Sequence, residues 1–320
     1  MVPQNTNVNF VGYRRFAYPL SAILIVVSIA MFFAQGLNFG IDFRGGILIE
    51  VKTEGPADIP QLRQDIGALN LGEVQIQEFG APDDILIRVQ QQDGEEDEQV
   101  KAIEAIQTAL GDQVAEYRRT EFVGPTVGAE LIESAIWAVA LAIGAILIYI
   151  WFRFEWQFGV GAVIALTHDV ITTIGLFAIT QLEFNLATVA AILTIAGYSI
   201  NDTVVIYDRV REELRRYKKM DMPALLNLAA NRTLSRTFMT SVTTLIALIA
   251  LSIFGGSIIR DFSLAMIWGV LIGTYSSVFI AVPALLALNL NREALVAGLD
   301  EESETGGSDG EPGDDAETRS

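Results

Sequence analysis

An aspartate inside a long apolar run is the first residue that demands a reason. Asp202 sits in NLATVAAILTIAGYSINDTVVIY, about five residues before that run gives way to charge. Placing an ionisable side chain inside a membrane helix costs roughly 2.5 to 3.5 kcal/mol on insertion scales, so such a residue is expected to bind or move something. Its neighbours Tyr198 and Ser199, four and three residues back, share its helix face and can hydrogen-bond it, and Gly197 leaves room for another helix. Arg236 opens the next apolar run and is followed by Thr237, Thr240, Ser241 and Thr244 at helical spacing. A polar stripe continuing into the bilayer suits a helix facing a wet or polar interior, and on that ground Arg236 is expected to pair with Asp202.

A second pair, His168 and Asp169, lies mid-run in GVGAVIALTHDVITTIG, where Gly161, Ala165, His168 and Thr172 make a small and polar stripe. It reads either as a proton relay or as a buried hydrogen-bonded pair that fixes packing, since adjacent helical residues point about 100° apart and need not act together. The chemistry these residues offer is ion movement across a membrane. One elementary charge crossing 100 mV supplies about 2.3 kcal/mol, and protonating a carboxylate paired with arginine would release the pair. A carboxylate near Ser199 and Asn201 oxygens could serve sodium as well as protons.

The elements that would position these residues are membrane helices. Hydrophobic residues are 51% of the 320, and they gather into six runs of a length that crosses a bilayer: 16–36, 131–152, 157–180, 185–207, 237–256 and 262–288. The first is expected to be an anchor, because its apolar stretch is long for a signal peptide and Gln35, Gly36 and Leu37 make no cleavage pattern. Of the net charge of -18, about -12 lies in residues 37–130 and about -8 in 300–320, so the membrane part is slightly positive. Its cations cluster at Arg14 and Arg15, at Arg153, and from Arg209 to Arg236. Positive loops stay in the cytoplasm, which predicts both termini inside and 37–130 outside the cytoplasmic (inner) membrane.

Residues 37–130 carry their own pattern. Strands are expected at 46–53, 73–78, 84–90 and 114–123, and helices at 59–69 (after an Asp58 cap) and 98–110, with a turn at Gly80, Ala81 and Pro82. The order is βαββαβ, a ferredoxin-like split βαβ fold, α+β in class. The 208–236 segment, with VREELRRYKK and PALLNLAANRTL, is expected to lie along the membrane surface as one or two helices. Residues 289–320 are expected to be a cytoplasmic tail, disordered over the acidic DEESETGGSDGEPGDDAETRS. The sixth run holds a G-x-x-x-G at Gly269 and Gly273, with Ser276 and Ser277 beyond, which supports helix packing alone.

Several functions are excluded or disfavoured. The chain has no cysteine and one histidine, so disulfides, thiolate chemistry and multi-histidine metal sites drop out. No phosphate-binding loop is present, so ATP bound here is not expected to supply any work the protein does. No cofactor, enzyme activity or nucleic-acid partner is expected.

Four strings in order, FGIDFRGG (39–46), VGPTVGAEL (123–131), ILTIAGYSINDTVVIYDRVRE (192–212) and NRTLSRTFMTS (231–241), followed by FGG (254–256), resemble the SecD/SecF family of protein-export membrane proteins in the resistance-nodulation-division superfamily. The resemblance spans about residues 10 to 290. It implies a six-helix subunit that pairs with a SecD-like protein, associates with the SecYEG translocon, and uses the proton motive force to draw preproteins across the membrane. It also implies that Asp202 is the carboxylate of the proton path with Arg236 its partner, that His168 and Asp169 have a further role, and that Asp42, Arg44, Gly45 and Gly46 couple the first helix to the outer domain or simply make a charged tight turn. The competing readings are a half-size proton-coupled exporter of small molecules or lipids and a non-transporting assembly scaffold.

Overall fold

The computed structural model describes residues 6–72, 74–79, 81–90, 92, 96–288 and 290. In chain order the elements are α1 (Phe10–Gln35), β1 (Asn38–Phe39), α2 (Ile41–Arg44), β2 (Gly46–Thr53), α3 (Ile59–Gly67), β3 (Val74–Phe79), β4 (Ala81–Val89), α4 (Glu96–Leu110), β5 (Val114–Val123), α5 (Pro125–Arg153), α6 (Trp156–Thr180), β6 (Glu183–Phe184), α7 (Leu186–Arg216), α8 (Met222–Phe254), α9 (Gly256–Ser276) and α10 (Val282–Ala287). The sequence expectations at Glu73 and Gly80, and for the tail beyond residue 290, lie outside the described residues.

Six helices are long and apolar enough to cross a membrane, with α9 and α10 forming one span through a π-helical turn at Ser277–Ala281. Pro283 explains the turn's place, because a proline ring crowds the carbonyl four residues back and a widened turn relieves it. α6, α7 and the last span bury more than half of their apolar windows, whereas α1, α5 and α8 leave most of theirs exposed. Exposed leucine and isoleucine on a spanning helix are in their proper solvent, so α6, α7 and α9 are the centre of the bundle and the others its rim. The centre is packed through small residues. A Cβ on Gly175 would collide with Ser28 of α1, one on Gly161 with the Tyr207 hydroxyl of α7, and one on Gly269 with Ile195 of α7.

The 46–123 region is a four-stranded sheet in the order β3-β4-β2-β5 with every neighbour antiparallel. Alternation along the strands sorts the side chains. Ile47, Ile49, Val51, Ile85, Ile87 and Val89 face Leu62 and Ile66 of α3 and Ala102, Ile106 and Leu110 of α4. Each such buried side chain contributes about 1.5 to 3 kcal/mol. Leu48 and Leu86 point the other way, onto Ile41 of α2. Asp58 caps α3 as expected, accepting from the Gln61 amide.

Between 208 and 236 the chain is helical at both ends, as a continuation of neighbouring helices: α7 runs unbroken to Arg216, α8 begins at Met222, and the turn 217–221 joins them. Hydrogen bonding within a helix is uninterrupted when no proline or glycine breaks it, and between Leu186 and Arg216 the only glycine is Gly197. Glu213, fully buried, pairs with Arg209 one turn back on α7 and with Arg232 of α8 across the hairpin, which holds the two helices together. The N-terminal segment joins them, as Asn227 and Asn231 of α8 accept from the amides of Val11 and Val8.

Candidate functional site

Asp202 stands on the face of α7 that meets α8. Thr237 Oγ1 donates to its Oδ1 at 2.5 Å. Its other oxygen, Oδ2, is buried with no hydrogen-bond partner among the described residues. Buried polar atoms are almost always paired, so this oxygen is an exception within the span.

The expected ion pair with Arg236 is not formed. Arg236 is exposed and makes no ion pair among the described residues, acting on Asp202 only as a nearby charge. The reason is helical geometry: with Thr237 turned onto Asp202, the preceding residue points about 100° away. The other expected neighbours also find different partners. Tyr198 donates to Ser241, which is 2.8 Å from Thr274 of α9, and Ser199 donates to Asp169. Asn201 is exposed, Thr240 is exposed and bonds back to the carbonyls of Arg236 and Thr237, and Gly197 has nothing within 4 Å of where a Cβ would stand. Of the stripe on α8, Thr237 and Ser241 are buried.

The second pair is brought together fully. His168 Nδ1 lies 2.9 Å from Asp169 Oδ1, and Ser199 of α7 and Ser276 of α9 each donate to Asp169 Oδ2 at 2.6 Å. One carboxylate thus ties α6, α7 and α9 at the bundle centre. His168 Nε2 is buried without a partner among the described residues. Just below, Thr203 and Ser277 meet at 2.8 Å, and Ser277 also donates to the Ser199 carbonyl. Ser276 and Ser277 were legible only as continuations of the Gly269/Gly273 face, one turn further along.

At the domain end, Asp42 Oδ2 accepts from the Leu186 amide, a free donor at the start of α7. Gly45 and Gly46 take φ of 71° and 115°, which lets the chain turn straight from α2 into β2. Arg44 is exposed and makes no ion pair among the described residues. Sequence reasoning missed the parallel pairing of β1 with β6 and the ion pair between Arg88 of β4 and Glu183, since two-residue strands carry no periodicity. No group of three metal-ligating side chains occurs among the described residues.

Six apolar helices around buried carboxylates, with a small α+β unit at one end, define a multi-pass membrane protein that carries ionisable groups in its interior. Comparison with known proteins gives the family. Residues 102–291 match the family described as "Protein export membrane protein SecD/SecF, C-terminal", and residues 30–57 match the "SecD/SecF GG Motif". The chain is 48% identical over 288 residues to the protein translocase subunit SecF of Rickettsia bellii, covering 89% of this chain and 94% of that one. With the SecF subunit of Rickettsia rickettsii it shares 45% over 296 residues, 92% and 95% of the two chains. Among solved structures, SecDF from Thermus thermophilus, described as a translocon-associated membrane protein, superposes with a TM-score of 0.81 at 34% identity. A SecDF structure in a super-membrane-facing form gives 0.66 at 33%. The chain is covered to 91% and 92% in these and spans 40% of each solved chain. The chain belongs to the SecD/SecF family of protein-export membrane proteins, and it is a subunit of the Sec export machinery.

Proposed function

We propose that this subunit couples proton entry to preprotein export, with Asp202 as the group that takes up and releases the proton. The observation that carries this reading is the orphan Oδ2 of Asp202, buried at the α7–α8 contact beside a single donor, Thr237. A proton bound there neutralises a charge held in apolar surroundings, so its arrival and departure alter the attraction between α7 and α8. Arg236, at the mouth of α8, supplies positive charge near the site without occupying it. Asp169, already given three donors, serves as the fixed point that keeps α6, α7 and α9 in register, with His168 orienting it.

In this reading both termini and the basic α7–α8 turn, with Arg215, Arg216, Lys218 and Lys219, face the cytoplasm. Residues 37–130 then form a ferredoxin-like domain in the periplasm, supported by the strand order β3-β4-β2-β5 and the helices α3 and α4 on one face. A SecD-like subunit completes the unit, supported by SecDF chains of which this one spans 40%, and the SecYEG translocon and preprotein are the further partners. The exposed rim helices α5 and α8 offer surface for such neighbours.

The test is translocation of a preprotein in inverted membrane vesicles, with and without a proton motive force, comparing the native subunit with Asp202→Asn at matched amounts and matched assembly. Loss of the force-dependent increment is expected; an undiminished increment would overturn the assignment.

A further inference from the structure

The segment that leads from α1 into the sheet is bound along its length to the loop that leads from α6 into α7. Asn38 and Phe39 pair in parallel with Glu183 and Phe184. Gly40 donates its amide to the Phe184 carbonyl at 2.9 Å, Asn38 donates to the Gln181 carbonyl at 2.9 Å, and Gln181 donates to the Gly36 carbonyl at 3.2 Å. Phe39, Phe43, Phe177 and Phe184 stack into one aromatic cluster beneath.

The Glu183 side chain of this seam also reaches the sheet. Its Oε2 pairs with Arg88 of β4, 95 residues earlier in the chain, both side chains being largely buried. Gly40 makes the space, because a Cβ there would collide with Glu183 Oε1. Glu183 itself lies in β6, between the end of α6 and the start of α7, so the pair links the sheet to the segment that enters α7. Arg88 stands on the strand face that carries Leu48 and Leu86, opposite the α3–α4 layer, and that face is turned toward the membrane body.

We infer that Arg88 and Glu183 are positioning residues for export: their ion pair fixes the orientation of the sheet domain to α7, so that movement of α7 at Asp202 is carried into the domain. The inference rests on Asp202 as the working site of the proposed function. Charge supports it over a packing contact, because the pair is the only ion pair among the described residues that joins the four-stranded sheet to the segment between α6 and α7, and Leu186, whose amide Asp42 holds, is the first residue of α7.

The chain has no cysteine, so Thr108→Cys on α4 and Ser252→Cys at the domain-side end of α8 give two unique spin-label sites in the full-length protein assembled with its partner. A narrow distance distribution is expected with Arg88 and Glu183 native, a broad one in Arg88→Glu and in Glu183→Arg, and a narrow one again when both changes are combined. The force-dependent translocation increment should follow the same pattern, lost in each single variant and recovered in the double. Distances that stay narrow in the single variants, or a double variant that restores neither readout, would overturn the inference. Asp202→Asn, labelled in parallel, should keep the narrow distance; if it also keeps its increment, the proton assignment falls while the distance result still decides the role of the joint.

Discussion

Thr237 of α8 donates a 2.5 Å hydrogen bond to Oδ1 of Asp202 on α7, and it is the side chain that contacts this carboxylate in place of the neighbouring Arg236. The relationship makes a hydroxyl rather than a guanidinium the partner whose loss should be felt first. Thr237→Val keeps the shape and removes the donor, leaving both oxygens of Asp202 buried and unpaired, at a cost of about 1 to 3 kcal/mol. It should lower the melting temperature of the purified protein and diminish force-dependent translocation, and Thr237→Ser should restore both.

Asp169 and Asp202 should separate cleanly when each is changed to asparagine. Asp169 accepts from Ser199, Ser276 and His168, so an amide NH2 at either oxygen position confronts a donor. A loss of about 1 to 3 kcal/mol per broken bond is expected. Asp169→Asn should therefore appear as a fall in thermal stability of the assembled protein. Asp202→Asn, with one bond at stake, should melt close to the native protein while losing translocation.

Two glycines of the same helix class should respond in opposite directions. Gly175→Ala drives a methyl into Ser28, whose Cα would lie 2.7 Å from it, and overpacking of this kind costs about 1 to 3 kcal/mol. Gly197→Ala meets nothing within 4 Å and should be neutral or stabilising by up to about 1 kcal/mol through helix propensity. Melting curves of the two variants in one detergent compare them directly.

Glu213 is buried between Arg209 and Arg232. Removing one member of a buried charge group costs about 3 to 5 kcal/mol when its partners stay behind; here the guanidiniums are part exposed, so the lower end is expected. Glu213→Ala should loosen the α7–α8 hairpin and hasten trypsin cleavage after the basic residues at 215–219, at the end of α7 and in the turn that follows.

The spans were legible because a bilayer imposes length and hydropathy on every one of them, and the sheet elements because Ile47, Ile49 and Val51 alternate while Ile103 and Ile106 follow helical spacing. Asp202, His168 and Asp169 were legible by cost alone, since nothing in an apolar run excuses a charge. Which partner each would take was not. Position along a helix gives a face only to within a turn, and the choice between Arg236 and Thr237 was settled by the rotation of α8 against α7, a property of the whole packed bundle. Ser276 carries no cost as an ordinary polar residue in a span, so its role at Asp169 left no mark in the sequence. That α7 continues past residue 207 was not legible for a related reason: charge marks where an apolar run stops, and a helix has no need to stop there.

That continuation gives the bundle a long arm. α7 has 31 residues and α8 has 33, about 46 and 50 Å of helix against a hydrocarbon layer of about 30 Å. From Asp202 to Arg216 the arm is about 21 Å, so a tilt of roughly 10° pivoting at the carboxylate would swing the basic turn by about 4 Å. A jointed connection would absorb such a displacement, whereas an unbroken helix would carry it to its tip, so under the proposed function the turn would be the pointer on which small changes at a single buried acid are displayed.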